Sequence, residues 1–204
     1  MSVETLAPRA SVASIPSVIE TLRAAFHAGV ARDLAWREGQ LRALERMMRE
    51  NEAEIADALK ADLGKPFAES TTAEIDFIRK DAAHARTHLR AWAKPQKVST
   101  PLALTPGESI VAPSPFGVVL IIGAWNYPFQ LTLSPLVGAI AAGNVAVLKP
   151  SELAPASSAL MARLVARYLD PQAYVVIEGD ADISQALLAQ KFDLVFYTGG
   201  ARVG

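Results

Sequence analysis

Cysteine is absent from all 204 residues. That excludes disulfides, thiolate-held metal and any thiol nucleophile supplied by these residues, and it says little about compartment. Charge of one sign is scarce too. Twenty basic against 21 acidic side chains leave a formal net charge of −1. No basic stripe or polycationic tail offers a footprint for nucleic acid or an anionic membrane. The N-terminus, with Glu4 and Arg9, lacks the continuous apolar core of a secretory signal. Long unbroken apolar runs are also missing. Ser109 to Leu148 carries no charge, yet Pro115, Pro128 and Pro135, with Asn126, Gln130 and Asn144, interrupt it. No span of about 18 apolar residues survives to cross a bilayer. The expectation is a soluble, cytoplasmic chain, 51% hydrophobic and able to bury one domain or slightly more.

What is present changes character near Glu108. Upstream, Leu34, Leu41, Leu44, Met48, Ile55 and Leu59 recur at helix-face spacing, which predicts one helix over Arg32–Asp62 with a solvated Arg/Glu face. Gly64-Lys65-Pro66 stops it. A second helix is expected over about Ser70 to Trp92, ending before Pro95, and Lys97–Pro115 reads as a loop or hairpin. After Pro115 the pattern becomes β-α-β-α-β-α-β. Strands are expected at Val118–Ile122, Val145–Leu148, Ala173–Ile177 and Leu194–Tyr197, and helices at about Leu131–Ala142, Ala156–Tyr168 and Ile183–Gln190. Gly143-Asn144 closes the first of these helices and Pro155 suits the first turn of the second. Such alternation means an α/β fold with a parallel sheet and right-handed crossovers, a nucleotide-binding architecture. Leu194–Tyr197 reads as a buried inner strand whose covering helix would follow Gly204, so the chain is expected to be a fragment of a longer one.

The most informative stretch is Gly117 to Pro128. Its apolar start reads as a strand buried on both faces. Its end, Gly123-Ala124-Trp125-Asn126-Tyr127-Pro128, places an amide where open α/β sheets bind their ligands. Asn126 could bind a developing anion or simply hydrogen-bond a turn, and Trp125 could wall a pocket or belong to the core. Lys149, at the end of a strand, and Glu152 could serve a ligand or form a solvated surface pair. Gly199–Gly204 sets small residues at a strand-to-helix turn, where free N–H groups suit a pyrophosphate; alone, G-x-x-x-x-G is a weak signal. His84 and His88 lie four apart on a helix, with no third ligand and no zincin glutamate, so no metal site is expected.

Pro115 to Pro128, Ala142 to Glu152 and Phe196 to Gly204 together resemble the signatures of the aldehyde dehydrogenase superfamily, in that family's order and spacing. Asp62-Leu63-Gly64-Lys65-Pro66 and the Trp125-Asn126-Tyr127-Pro128 wording are similar to its class 3 branch, which oxidises medium-chain fatty and aromatic aldehydes. The resemblance implies N-terminal helices (1–96) belonging to the cofactor domain, a bridging hairpin for dimer formation (97–114) and a truncated Rossmann-like NAD(P)-binding portion (115–204). The catalytic domain, with the nucleophilic cysteine and the general-base glutamate, would lie beyond. In that chemistry a thiolate attacks the aldehyde, hydride passes to nicotinamide and water releases the acid. The resemblance gives Asn126 the role of oxyanion donor. Lys149, Ser151 and Glu152 would take the adenosine ribose, and Trp125 would wall the nicotinamide pocket. Gly199, Gly200, Ala201, Arg202, Val203 and Gly204 would bed the pyrophosphate. Glu152 would repel a 2′-phosphate, which favours NAD, with NADP possible. The family more often has Ser where Gly200 stands, so only backbone donors remain there.

Other readings stay open at this stage. One is an acyl-phosphate or acyl-CoA reductase of the same superfamily. Another is a truncated P-loop nucleotidase beginning at Gly199, although such loops usually follow the first strand of a domain and this one follows the fourth. A third is a non-catalytic chain that only binds dinucleotide.

Overall fold

The computed structural model describes residues 12–201. Five helical segments come first: α1 (Ile15–His27), α2 (Leu34–Glu50), α3 (Glu52–Leu63), the single turn α4 (Phe67–Glu69) and α5 (Asp76–Trp92). A π-helical stretch, Ser70–Ile75, joins the last two. The hairpin β1 (Gln96–Val98) and β2 (Ser109–Val111) follows. Then come β3 (Val118–Ile122), α6 (Pro128–Ala142), β4 (Val145–Lys149), α7 (Pro155–Tyr168), β5 (Tyr174–Val176), α8 (Ala181–Leu188) and β6 (Leu194–Tyr197).

The single helix expected over Arg32–Asp62 is two. Asn51 breaks it, with φ −119° and ψ 22°. Its Nδ2 donates to the Met47 carbonyl at 2.8 Å and to the Tyr168 hydroxyl at 3.1 Å, so a side chain competes with the backbone ladder. Gly64 then ends α3 in the left-handed conformation, φ 67°, as the sequence predicts. The face of α2 expected to be solvated is not wholly so, because Arg37 turns inward and is buried. Helix α1 carries Ile15, Ile19 and Leu22 into the core. Their spacing is helical, and Pro16 stands in its first turn, yet α1 is not among the helices predicted.

Strands β3 to β6 form one parallel sheet in the order β5-β4-β3-β6. Four successive residues of β3 (Val118 to Ile121) and all of β4 are buried. Because side chains alternate between faces, this requires cover on both. Helices α1 and α6 both lie against β3 and β4. Strand β5 is shorter than expected, although the bonds from Ala146 N to Ala173 O and from Ile177 N to Leu148 O continue the ladder at both ends. Helix α8 begins and ends two residues before the expected bounds, because the Asp180 carboxylate accepts the Asp182 N–H and fixes its first turn. One core cluster runs from Ile15 to Leu187 and joins the N-terminal helices to the sheet.

Strand β6, expected as an inner strand whose covering helix would follow Gly204, pairs with β3 over Leu194–Tyr197. It lies at the sheet edge, with Leu194, Val195 and Phe196 between 39% and 45% exposed. Among the described residues only β3 pairs with it. The segment after Pro95 does form a hairpin, with Lys97 opposite Ile110 and the apolar side chains Val98, Ile110 and Val111 exposed. Among the described residues, no helix is long and apolar enough to cross a membrane.

Candidate active site

The strand order makes a crevice. The chain runs β3 to β4 to β5 in one direction, then returns to lay β6 on the other side of β3. At such a switch point the loops after two neighbouring strands leave in opposite directions, and ligands bind between them at the carboxyl ends. The loop after β3 carries Trp125 and Asn126, and that after β6 carries Gly199 and Gly200. The Thr198 N–H donates to Ile122 O at 3.0 Å, and the Gly123 N–H to Lys149 O at 3.1 Å, so the ends of β3, β4 and β6 are level.

Asn126 is exposed, and its amide has no hydrogen-bond partner among the described residues. It is therefore not consumed by a turn. Trp125 is half exposed, not a core residue. The loop ends in α6, which begins at Pro128, three residues earlier than the sequence predicts. Pro128 suits the first helical position because it has no N–H to leave unpaired. The next two N–H groups, of Phe129 and Gln130, donate to Glu74 Oε2 at 2.9 and 3.3 Å. Glu74 is fully buried, and its other oxygen accepts from Lys65 Nζ at 2.6 Å. The same ammonium sits 3.6 Å from the centre of the Tyr127 ring. Burial pushes the Glu74 carboxyl above its usual range, against the pull of Lys65 and the two N–H groups. Gly123 approaches α6 so closely that a Cβ there would stand 2.0 Å from Thr132 Oγ1.

Lys149 ends β4, one residue longer than predicted, and is 2% exposed. It is not a solvated lysine. Its Nζ donates to Pro150 O at 2.9 Å and to Glu152 Oε2 at 3.1 Å, which leaves one of three ammonium protons for a ligand. Burial alone would raise the Glu152 carboxyl; its own backbone N–H and Lys149 outweigh that and hold it below the usual range. Ser151 Oγ accepts the Leu153 N–H at 3.3 Å. After this loop, α7 starts with its Ala156 and Ser157 N–H groups on the two oxygens of Asp62, at 3.0 and 2.7 Å.

Gly199, Gly200 and Ala201 are exposed, and a Cβ on Gly200 would meet nothing within 4 Å, so the backbone there is open to a large ligand. Arg202, Val203 and Gly204 lie outside the described residues. The rings of His84 and His88 are tilted with centroids 4.2 Å apart on α5, and His88 stacks on Trp92, far along the chain from these loops. Glu74 is missing from the residues singled out in the sequence. Its only signal is an acidic side chain between Ala73 and Ile75, on the face that carries Ile78 into the core. Asp62 and Lys65 entered as part of a helix end and of a family-like stretch, not as site residues.

Comparison with known proteins agrees over nearly the whole chain. The model of the aldehyde dehydrogenase family matches residues 3–204. Aldehyde dehydrogenase family 3 member H1 of Arabidopsis thaliana is 46% identical over 192 residues, covering 94% of this chain and 40% of the relative. Family 3 member B1 of Rattus norvegicus is 42% identical, covering 94% of this chain and 41% of the relative. The solved Staphylococcus aureus AldH, in a substrate-bound state, superposes with a TM-score of 0.90 at 40% identity, over 93% of this chain and 41% of that one. The chain thus spans about two-fifths of the length of these relatives. With a family match from residue 3 to the last and a shared fold at 40% identity, it belongs to the aldehyde dehydrogenase family.

Proposed function

We propose that this chain is the N-terminal part of an NAD(P)-dependent aldehyde dehydrogenase, supplying the oxyanion donor and much of the dinucleotide site. The observation that carries this reading is the convergence of a free amide, a buried lysine with its exposed glutamate partner and an exposed glycine turn on one carboxyl edge, at the strand-order switch.

The residues fit a dinucleotide. Lys149 and Glu152 offer one donor and one acceptor side by side, as a ribose diol requires. Gly200 leaves room, and the exposed turn offers backbone N–H groups, for a pyrophosphate, while Gly199 lies against the Tyr197 side chain. The bound nicotinamide ring would supply the hydride acceptor. Trp125, half exposed, would exclude water from one side of it. Asn126 would donate to the oxygen of the aldehyde as negative charge develops there, with no proton to lose and no counter-charge to separate. The attacking sulfur must come from outside these 204 residues, since they hold no cysteine. Glu152 carries negative charge where a 2′-phosphate would add more, which favours NAD; Glu152→Gln should raise the use of NADP relative to NAD. The exposed apolar hairpin suits pairing of two subunits in a homodimer, and the three segments 1–96, 97–114 and 115–204 divide the work as cofactor-domain helices, bridge and nucleotide bed. No feature argues for a nucleic-acid or membrane partner, and a cytoplasmic site of action fits this composition.

The test is Asn126→Ala in the full-length enzyme. Turnover should fall by about 10²–10³ while the KM for dinucleotide changes little. Unchanged turnover would remove the oxyanion assignment. The 204-residue chain alone should reduce no cofactor with any aldehyde.

A further inference from the structure

Both site loops run into helices, and both helices are held at their N-termini by carboxylates from one short segment. Helix α7, which follows the Lys149–Glu152 loop, is capped by Asp62 through the Ala156 and Ser157 N–H groups at 3.0 and 2.7 Å. Helix α6, which follows Trp125 and Asn126, is capped by Glu74 through Phe129 and Gln130. Between the two acids stands Lys65, paired with Glu74 at 2.6 Å and seated on the ring of Tyr127, the neighbour of Asn126. Burying a carboxylate is costly unless its lone pairs are filled and a counter-charge is present. Glu74 is fully buried and paired with Lys65, Asp62 is partly buried, and the partners of both are the first-turn N–H groups of helices α6 and α7, where the positive end of each dipole favours an anion. Neither acid reaches the residues assigned to substrate or cofactor. They grip the helices behind the loops instead.

We propose that residues 62–74 form a bracket that sets the two site loops relative to each other. Glu74 with Lys65 is the positioning element for Asn126, and Asp62 is that for Lys149 and Glu152. The inference rests on the roles proposed above for those three residues. The two loops serve different steps, so the two ends of the bracket act on different kinetic constants. A misplacement of about 1 Å in a reacting group costs up to about 10² in rate.

The experiment is steady-state kinetics of the full-length enzyme with active sites titrated, so that misfolded protein does not count. Glu74→Gln should lower kcat about 10-fold or more and leave the KM for dinucleotide within about twofold. Asp62→Asn should raise that KM about fivefold or more and leave kcat within about twofold. On an Asn126→Ala background, Glu74→Gln should cost no further turnover, because its effect runs through the missing amide. If Glu74→Gln does not fold, Lys65→Met combined with Glu74→Gln removes both buried charges together and tests the same end. The proposal is overturned if both variants shift the same constant, if the titrated constants stay at wild-type values while only thermal stability drops, or if Glu74→Gln costs as much without Asn126 as with it. Failure of the underlying reading looks different: Asn126→Ala alone would then leave kcat unchanged.

Discussion

The two ends of helix α6 are both held by buried charged side chains from the N-terminal helices, yet they do different work. At the N-terminus Glu74 accepts two N–H groups. Near the C-terminus Arg37 donates to Ala141 O at 3.3 Å, and also to Ala31 O and Arg32 O at 2.6 and 3.0 Å. Each charge opposes the dipole end it meets, as electrostatics favours. The difference lies in what else they touch. The hydrogen bonds of Arg37 all end on backbone carbonyls, at the amino edge of the sheet, away from every candidate ligand group. Glu74 is bound to a cation that also holds the residue beside Asn126. One end of the helix is anchored for the fold, and the other for the fold and the site together.

This contrast can be broken most severely at Arg37. Arg37→Ala removes one buried and two part-buried bonds to carbonyls and should cost about 3 kcal/mol in chemical denaturation, with kcat per titrated site unchanged. A loss of turnover in the folded fraction would erase the distinction between the two ends. Gly143→Ala probes the same end with a smaller effect. Gly143 has φ +82°, and a Cβ there would stand 2.3 Å from Arg37 Nη2. A loss of about 2 kcal/mol is expected from strain and displacement of the guanidinium; a neutral result would mean that Arg37 moves freely. The smallest effect lies off the helix and serves as a control. Asp193 Oδ2 accepts from Val118 N at 2.8 Å and from Arg23 Nη1 at 2.9 Å, tying the start of β3 to the start of β6. Burial alone would raise its carboxyl, but Val118 and Arg23 outweigh it and hold it below the usual carboxylate range. A depressed carboxylate contributes stability above its unfolded pKa and loses it as pH falls through the folded one. Asp193→Asn should therefore lower the melting temperature at neutral pH, and the gap from the unsubstituted protein should narrow as acid protonates the native carboxylate. A gap of unchanged size from neutral to strongly acidic pH would refute the electrostatic account.

Much of the site was legible because its signals are local. The apolar run of β3, the amide and proline at its end, and Lys149 directly after Leu148 need no distant partner to be recognised. Gly64 and Gly143 were readable as helix stops because a left-handed residue is a one-position requirement. Other features had no local sign. Glu74 meets Phe129 across 55 positions, and Arg37 meets Ala141 across 104. In a helical wheel both look like ordinary charged residues. The break at Asn51 was hidden for the same reason, since half of what its amide binds is Tyr168, 117 positions away. Strand β6 was legible from its apolar run, but its place beside β3 was not, because strand order is set between distant segments.

Read alone, the residues say which segments become strands and helices, where several of them stop, and which chemical groups stand at the strand ends. Those properties come from side-chain period and backbone sterics, which act over a few residues. Long-range packing sets β6 beside β3, which opens the crevice, and brings Asp62 and Glu74 to the helices behind it, with Lys65 on Glu74. Those are choices among distant partners, made where burial leaves a charge no alternative but a matching dipole or counter-ion.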